Sequence, residues 1–351
     1  MTKNGSGTMS RVKRPTMADV AAKVGVSRAL VSLVFRNAPG ASQETRDRVL
    51  AAAAELGYQP DSAARLLASS RSRVLGVMMT VRNPFHADLV EAIYPEAEAL
   101  GYDILLSASA PTRGERKAIE ALLAHRCEAL ILLGLGTNAE PVYLDEIVGR
   151  APIVSVGRRI EAPGVDSVHT AEAKGIRLAV NHLVGLGHRR IVHIDGGTGP
   201  GSSERRRAYR ARMRTHGLTD ELRVLPGDHR EESGARVARQ LLDEPELPTA
   251  VLAGNDRCAI GLLDVLARAG VSVPDDISVV GYDDSPIAQL SHIDLTTVRQ
   301  DVPGTARAAV RTAVERLEAP DRASSEVVLD PELVIRGTTA PPRVGVESKP
   351  A

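Results

Sequence analysis

The chain of 351 residues contains no uninterrupted apolar run of the roughly 18 residues a membrane-spanning helix needs. No membrane span is therefore expected. Its opening, MTKNGSGTMSRVKRPT, is basic, but no apolar stretch follows, so it does not read as a secretory signal and a cytoplasmic protein is expected. Cysteine is scarce. Cys127 and Cys258 are the only two and both lie among apolar residues, which suits buried free thiols in a reducing compartment better than a disulfide or a nucleophile.

Motifs that carry catalysis are missing as well. Gly134-Leu-Gly136 lacks the third glycine of a dinucleotide fingerprint, and the run from Asp195 to Gly201 (DGGTGPG) lacks the Lys-Ser/Thr of a phosphate loop. There is no Gly-x-Ser-x-Gly elbow, and the nine histidines show no metal-ligand spacing. Asp283 and Asp284 are adjacent carboxylates, but neighbours leaving a strand point apart and make a poor acid/base pair. These absences argue against an enzyme, a metal centre and a cofactor. A transport-associated binding protein or an α/β enzyme remain the rival readings.

What is present is enough hydrophobic material, 43% of residues, for two or three compact units. Net charge is zero but unevenly spread. Residues 1–72 hold eleven Lys or Arg against five Asp or Glu, a surplus of six that the remaining residues offset. A cationic head on an anionic body suits phosphate binding through one end of the molecule.

The head reads as three short helices after a polar tail, 1–15, expected to be disordered. Thr16 and Asp19 form a capping pair ahead of Val20, Ala21 and Val24. Gly25 breaks this helix, and Ser27 caps a second that runs to about Phe35. A third opens at Ser42 and ends at Gly57. The first two helices with their tight turn have helix-turn-helix spacing, locked by Val20, Ala21, Val26, Val31 and Val34, and the second helix projects its N-terminal side chains toward a major groove. Arg28 is placed to bond guanine and Ala29 to touch a thymine methyl, while Ser27, Ser32 and Arg36 suit phosphates.

From Val74 onward, strand-like runs alternate with amphipathic helical stretches: 74–80, 102–108, 129–134, 152–157, 190–196, 249–254 and 277–283, with a late strand over Val327–Ile335. Such alternation predicts an α/β fold with parallel sheets and helices on both faces, and about 270 residues predicts two similar lobes.

The stretch 16–78 (TMADVAAKVGVSRALVSLVF onward) resembles the N-terminus of LacI/GalR-family bacterial transcription regulators. The resemblance continues through NPF (83–85), HLVGLGHRRIVHIDG (182–196), GND (254–256), ISVVGYDDSP (277–286), LTTVRQD (295–301) and ELVIRGTTAPP (332–342). It implies a helix-turn-helix domain at 16–60, a hinge helix or linker at 61–72, a two-lobed periplasmic-binding-protein-like body at 73–342 for effector binding and dimerisation, and a tail at 343–351. It also implies a homodimer on a palindromic operator in double-stranded DNA, with a small-molecule, sugar-like effector. A repressor released by an inducer is favoured, and a corepressor is the opposite sign.

The implied DNA-facing set is Thr16, Ser27, Arg28, Ala29, Ser32, Leu33 and Arg36, with Leu67 and Ala68 in the hinge; Leu67 matches the leucine wedged into the minor groove. Two departures bear on the operator sequence: Leu33 stands where some relatives carry a base-reading Arg or His, and Asp61 where Asn is commoner. The implied effector set is Asn83, Phe85, Arg205, His229, Asn255 and Asp283, at or near the carboxyl ends of strands where such folds bind ligands. His229 occupies a place where relatives often have a stacking aromatic, which points to a more polar effector.

Overall fold

The computed structural model of the chain describes residues 15–35, 38–58, 71–135 and 141–343. Arg36, residues 61–70 of the expected hinge with Leu67 and Ala68, and almost all of the two expected tails lie outside these residues. The chain divides into two compact units, Met1–Ser72 and Arg73–Ala351.

The first unit holds α1 (Met17–Val24), α2 (Arg28–Phe35) and α3 (Gln43–Leu56). Helices this short are not stable alone, so their caps and shared core decide the matter. Thr16 and Asp19 close a reciprocal capping box: the Asp19 carboxylate accepts from the Thr16 amide at 2.7 Å, and the Thr16 hydroxyl accepts from the Asp19 amide at 3.4 Å. Gly25 takes the left-handed conformation, φ 74°, that ends α1. Ser27 Oγ accepts from the Leu30 amide at 3.2 Å and starts α2. Val20, Ala21, Val24, Val31, Val34, Val49, Ala52 and Ala53 form the core. Arg48 of α3 donates to the Val24 carbonyl at 2.9 Å, satisfying the end of α1.

The second unit begins with β1 (Val74–Thr80), α4 (Pro84–Ala99), β2 (Asp103–Ser109), α5 (Glu115–Ala124), β3 (Ala129–Leu133), α6 (Pro141–Val148), β4 (Ile153–Val156) and β5 (Val165–Thr170). A second series follows: α7 (Glu172–Gly185), β6 (Ile191–Ile194), α8 (Ser202–Thr215), β7 (Arg223–Leu225), α9 (Glu231–Leu242), β8 (Ala250–Leu252), α10 (Asp256–Arg268), β9 (Ser278–Asp283) and β10 (Thr296–Arg299). The chain then returns through α11 (Val302–Glu318) to β11 (Glu326–Leu329) and ends at β12 (Glu332–Val334). Two six-stranded sheets result, ordered β11-β5-β4-β3-β1-β2 and β12-β10-β9-β8-β6-β7. All pairings are parallel except β12 against β10.

Each sheet is the middle layer of a lobe. In β1, Leu75 and Val77 join the core beneath α4 and α11, while Met78 joins the opposite core beneath α5, as a strand's two-residue period requires. β3 is buried on both faces, which is why it reads as the unbroken run ALILL.

The chain crosses between lobes three times: after β5, after β10 and after β11. The last crossing corrects the expectation of one late strand over Val327–Ile335. Two short strands occupy that stretch, one in each sheet, separated by Asp330 and Pro331. Pro331 lacks the N–H that a continuous ladder would need there. Three further strands, β5, β7 and β10, were not expected from the pattern. Cys127 and Cys258 are buried free thiols, as expected. Among the described residues no helix is long and apolar enough to cross a membrane.

Candidate DNA-binding face and effector cleft

On the first unit, Arg28 and Ala29 open α2 and are exposed, as are Thr16 and Ser27 just before their helices. Thr16 and Ser27 serve as caps, so the first amides of two helices gather beside them, an arrangement suited to phosphate oxygens. Ser32 and Leu33 are half-buried. Leu33 leans on the loop: a Cβ added to Gly40 would stand 3.2 Å from its Cδ1. That packing accounts for an apolar side chain on the outer part of α2.

In the second unit a cavity of about 210 Å³ lies between the lobes, at the carboxyl ends of β1, β4 and β9. An apolar cavity of about 150 Å³ accommodates benzene, so this one has room for a substituted ring. All six residues expected to face an effector stand on its wall: Asn83 and Phe85 from the first lobe, Arg205, His229, Asn255 and Asp283 from the second.

Their local roles differ. Asn83 occupies the N-cap position of α4 but makes no capping bond, which leaves its amide for the cavity. Asn255 does cap α10: its Oδ1 accepts from the Cys258 amide at 3.0 Å and its Nδ2 donates to the His229 carbonyl at 3.3 Å. One of its N–H bonds is left over. Phe85 packs its inner edge on the first-lobe core. His229 is held in a left-handed conformation, φ 61°, with Nε2 at 3.4 Å from Ser202 Oγ. Burial pushes its imidazole down to about 3, with Arg205, His193 and Arg257 adding to the effect, so the ring is neutral at pH 7.

Arg205, only 5% exposed, lies with its guanidinium 3.5 Å above the Tyr282 ring. It grips Glu172 through Nε at 2.7 Å and Nη2 at 3.1 Å, and donates from Nη1 to the Gly254 carbonyl at 2.8 Å. Two of its five donors are unspent, and its charge is already balanced. Asp283 has φ 115° and Asp284 φ 55°, a strained pair for non-glycine residues. The surroundings hold them there. Asp256 accepts from the Ser285 amide at 2.7 Å and hydroxyl at 2.8 Å, while Asp284 meets Arg299 at 2.7 Å and Arg336 at 2.6 Å. Burial pushes the Asp283 carboxyl well above the usual range, against the pull of Arg205.

The pattern missed eight polar residues on the same wall: Thr80, Arg82, His86, Glu172, Asp228, Arg230, Arg257 and Gln300. Gln300, at the second crossing, donates to Asp283 Oδ1 at 2.8 Å and accepts from Thr170 Oγ1, at the first crossing, at 2.6 Å. Arg257 donates to the Arg82 carbonyl of the other lobe at 2.6 Å. Glu172 had a signal in principle, since an acidic residue opening a helix in a chain this rich in arginine wants a partner. Arg257 and Gln300 had none, because their roles depend on crossings that sequence neighbours do not reveal.

Residues 16–61 match the family description "Bacterial regulatory proteins, lacI family", and residues 180–339 match "Periplasmic binding protein-like domain". The chain is 31% identical to the transcriptional repressor CytR of Escherichia coli K12 over 328 residues, covering 92% of this chain and 96% of that protein. Among solved structures it resembles the lac repressor dimer bound to operator and the anti-inducer ONPF, at 29% identity and TM-score 0.81, covering 93% of this chain and all (100%) of the other. A complex of the regulator CelR with cellobiose matches at 29% identity and TM-score 0.68, with the same coverage of 93% and 100%.

Proposed function

Because the chain belongs to the lacI family of bacterial regulatory proteins, we propose that it is a repressor that binds a palindromic operator as a homodimer and is controlled by a polyhydroxyl effector in the cleft between its lobes. The division of labour is a helix-turn-helix head at 16–60, a linker at 61–72 that orders on DNA, and a sensing and dimerising body at 73–342. Arg28 and Ala29 read bases, with Thr16, Ser27, Ser32, Leu33 and Arg36 around them and Leu67 and Ala68 at the minor groove. Catalysis forms no part of this reading, and no cofactor is required.

One observation carries the effector half: six side chains from two lobes, expected from the sequence to face a ligand, line a single cavity. Their chemistry favours hydroxyls. Asp283 accepts, Asn83 offers both a donor and an acceptor, and Arg205 brings spare donors without spare charge. The cellobiose held by the relative CelR is a molecule of this class.

The test is a thermal-shift screen of the full chain with D-ribose, cellobiose, xylitol and cytidine, followed by operator-binding titrations with each compound that raises the melting point. The expected result is at least one stabilising compound that changes affinity for a palindromic duplex by about 5–150-fold. Stabilisation without any effect on DNA affinity would reject the control mechanism. No stabilisation by any of the four would reject the polyhydroxyl assignment.

A further inference from the structure

We infer that His86 reads the effector directly, donating its Nε2–H to an oxygen of the molecule in the cleft from the lobe opposite Asp283. The inference rests on the polyhydroxyl reading above and adds a specificity residue to it. His86 is the third residue of α4, only 4% exposed, and stands on the cavity wall.

Its tautomer follows from geometry. The Thr80 backbone N–H points at His86 Nδ1 from 3.0 Å. A backbone amide can only donate, so Nδ1 must offer its lone pair and the ring proton must reside on Nε2. A cationic ring would turn a second N–H against that amide. Burial acts in the same direction, pushing the imidazole down to about 4. Nε2 has no partner among the described residues.

The fold makes room for this nitrogen. Gly134, just past β3, has φ 61°, and a Cβ there would stand 2.6 Å from His86 Nε2 and 3.3 Å from Pro200 Cγ of the other lobe. An imidazole needed only for bulk could be a phenyl ring, with no donor to satisfy. A neutral donor on one side and the Asp283 acceptor on the other together select a ligand with a lone-pair oxygen toward the first lobe and a hydroxyl hydrogen toward the second. A polyol or sugar supplies both from one ring.

The experiment uses the full chain with ¹⁵N-labelled histidine. The signals of His86, one of nine histidines, are assigned by their loss in His86→Phe and in His86→Gln. In the free protein at pH 7, His86 should show Nε2 protonated and Nδ1 bare; the opposite tautomer, or a cation, would overturn the inference. Whichever of D-ribose, cellobiose, xylitol and cytidine raises the melting point should then move the Nε2 resonance, and His86→Phe should weaken it about tenfold. A stabilising compound that leaves Nε2 unmoved rejects the contact while sparing the polyhydroxyl reading. If none of the four stabilises the protein, both fall together.

Discussion

A buried histidine is an acid-sensitive component wherever it lies, and His193 shows this apart from any ligand. It is fully buried in β6, its Nδ1 lies 3.0 Å from the Leu252 carbonyl, and its Nε2 has no partner. Since a carbonyl only accepts, Nδ1 carries the proton and a bare lone pair is shut inside the second lobe. Burial pushes this ring down to about 4, with the Leu252 bond and Asp195 opposing the shift. In the unfolded chain it titrates near 6.5, so below that pH the unfolded state binds more protons. His193 therefore costs stability progressively as pH falls from about 6.5 to about 4, and no further below that. His193→Phe should flatten this part of the stability profile. Measured by melting temperature, the variant should gain on the wild type between pH 6.5 and 4; parallel profiles would show that His193 does not contribute to acid sensitivity. Residues of this kind mark the limit of what a sequence discloses about a site. Asn83, Arg205 and Asp283 were legible because each sits in a recognisable segment next to a strand or helix end. His86 and Gln300 were not, because their meaning lies in partners at Thr80, Thr170 and Asp283.

Among the secondary-structure elements, the hydrophobic pattern disclosed the strands that contain an apolar run and hid β5, whose apolar residues are broken up by polar ones. β5 (VDSVHT) is the instructive case, because Asp166 lies fully buried in it. Its carboxylate accepts from Arg316 at 3.0 and 2.8 Å, from Arg322 at 3.0 Å, and from the Ser325 amide and hydroxyl at 2.7 and 2.8 Å. One side chain thus ties β5, the neighbour of the edge strand, to the end of α11 and to the segment entering β11, the strand that precedes the last crossing. Despite burial, these bonds hold its carboxyl below the usual range. Asp166→Ala would strand two guanidinium groups, one of them buried, and should cost about 3–5 kcal/mol. Urea denaturation of the full chain measures it. A loss under about 1 kcal/mol would mean that water replaces the carboxylate, and that β11 is held by its backbone ladder alone. β7 and β10 escaped notice for a simpler reason. β7 (RVL) and β10 (TTVR) hold too few consecutive apolar residues to stand out, unlike the equally short β8 (AVL).

For the whole molecule, the question is whether the two units can be disabled one at a time. The six-charge surplus lies in residues 1–72 and the matching deficit in the rest, so attraction to DNA falls to the head while the body repels it. On the proposed function, the body influences operator affinity through an equilibrium between lobe arrangements. A ligand biases that equilibrium by its differential affinity and by nothing else. Arg82 and Arg257 bond across the cleft, and Gln300 joins two crossings to Asp283, so Asp283 is hydrogen-bonded into the segments that connect the lobes. Two substitutions separate the functions. Asp283→Ala should abolish the thermal shift caused by whichever sugar stabilises the wild type, yet leave sugar-free operator affinity within about threefold, since the coupling acts only when the ligand is bound. Arg28→Ala should leave the thermal shift intact and weaken operator binding by about 1–3 kcal/mol at one base-pair position. Fluorescence anisotropy with operator duplexes carrying single base changes resolves the two. A uniform loss across all duplexes would demote Arg28 to a phosphate contact. Loss of sugar-free DNA binding in Asp283→Ala would mean that the strained turn at Asp283 and Asp284 maintains the DNA-competent arrangement instead of reporting the ligand.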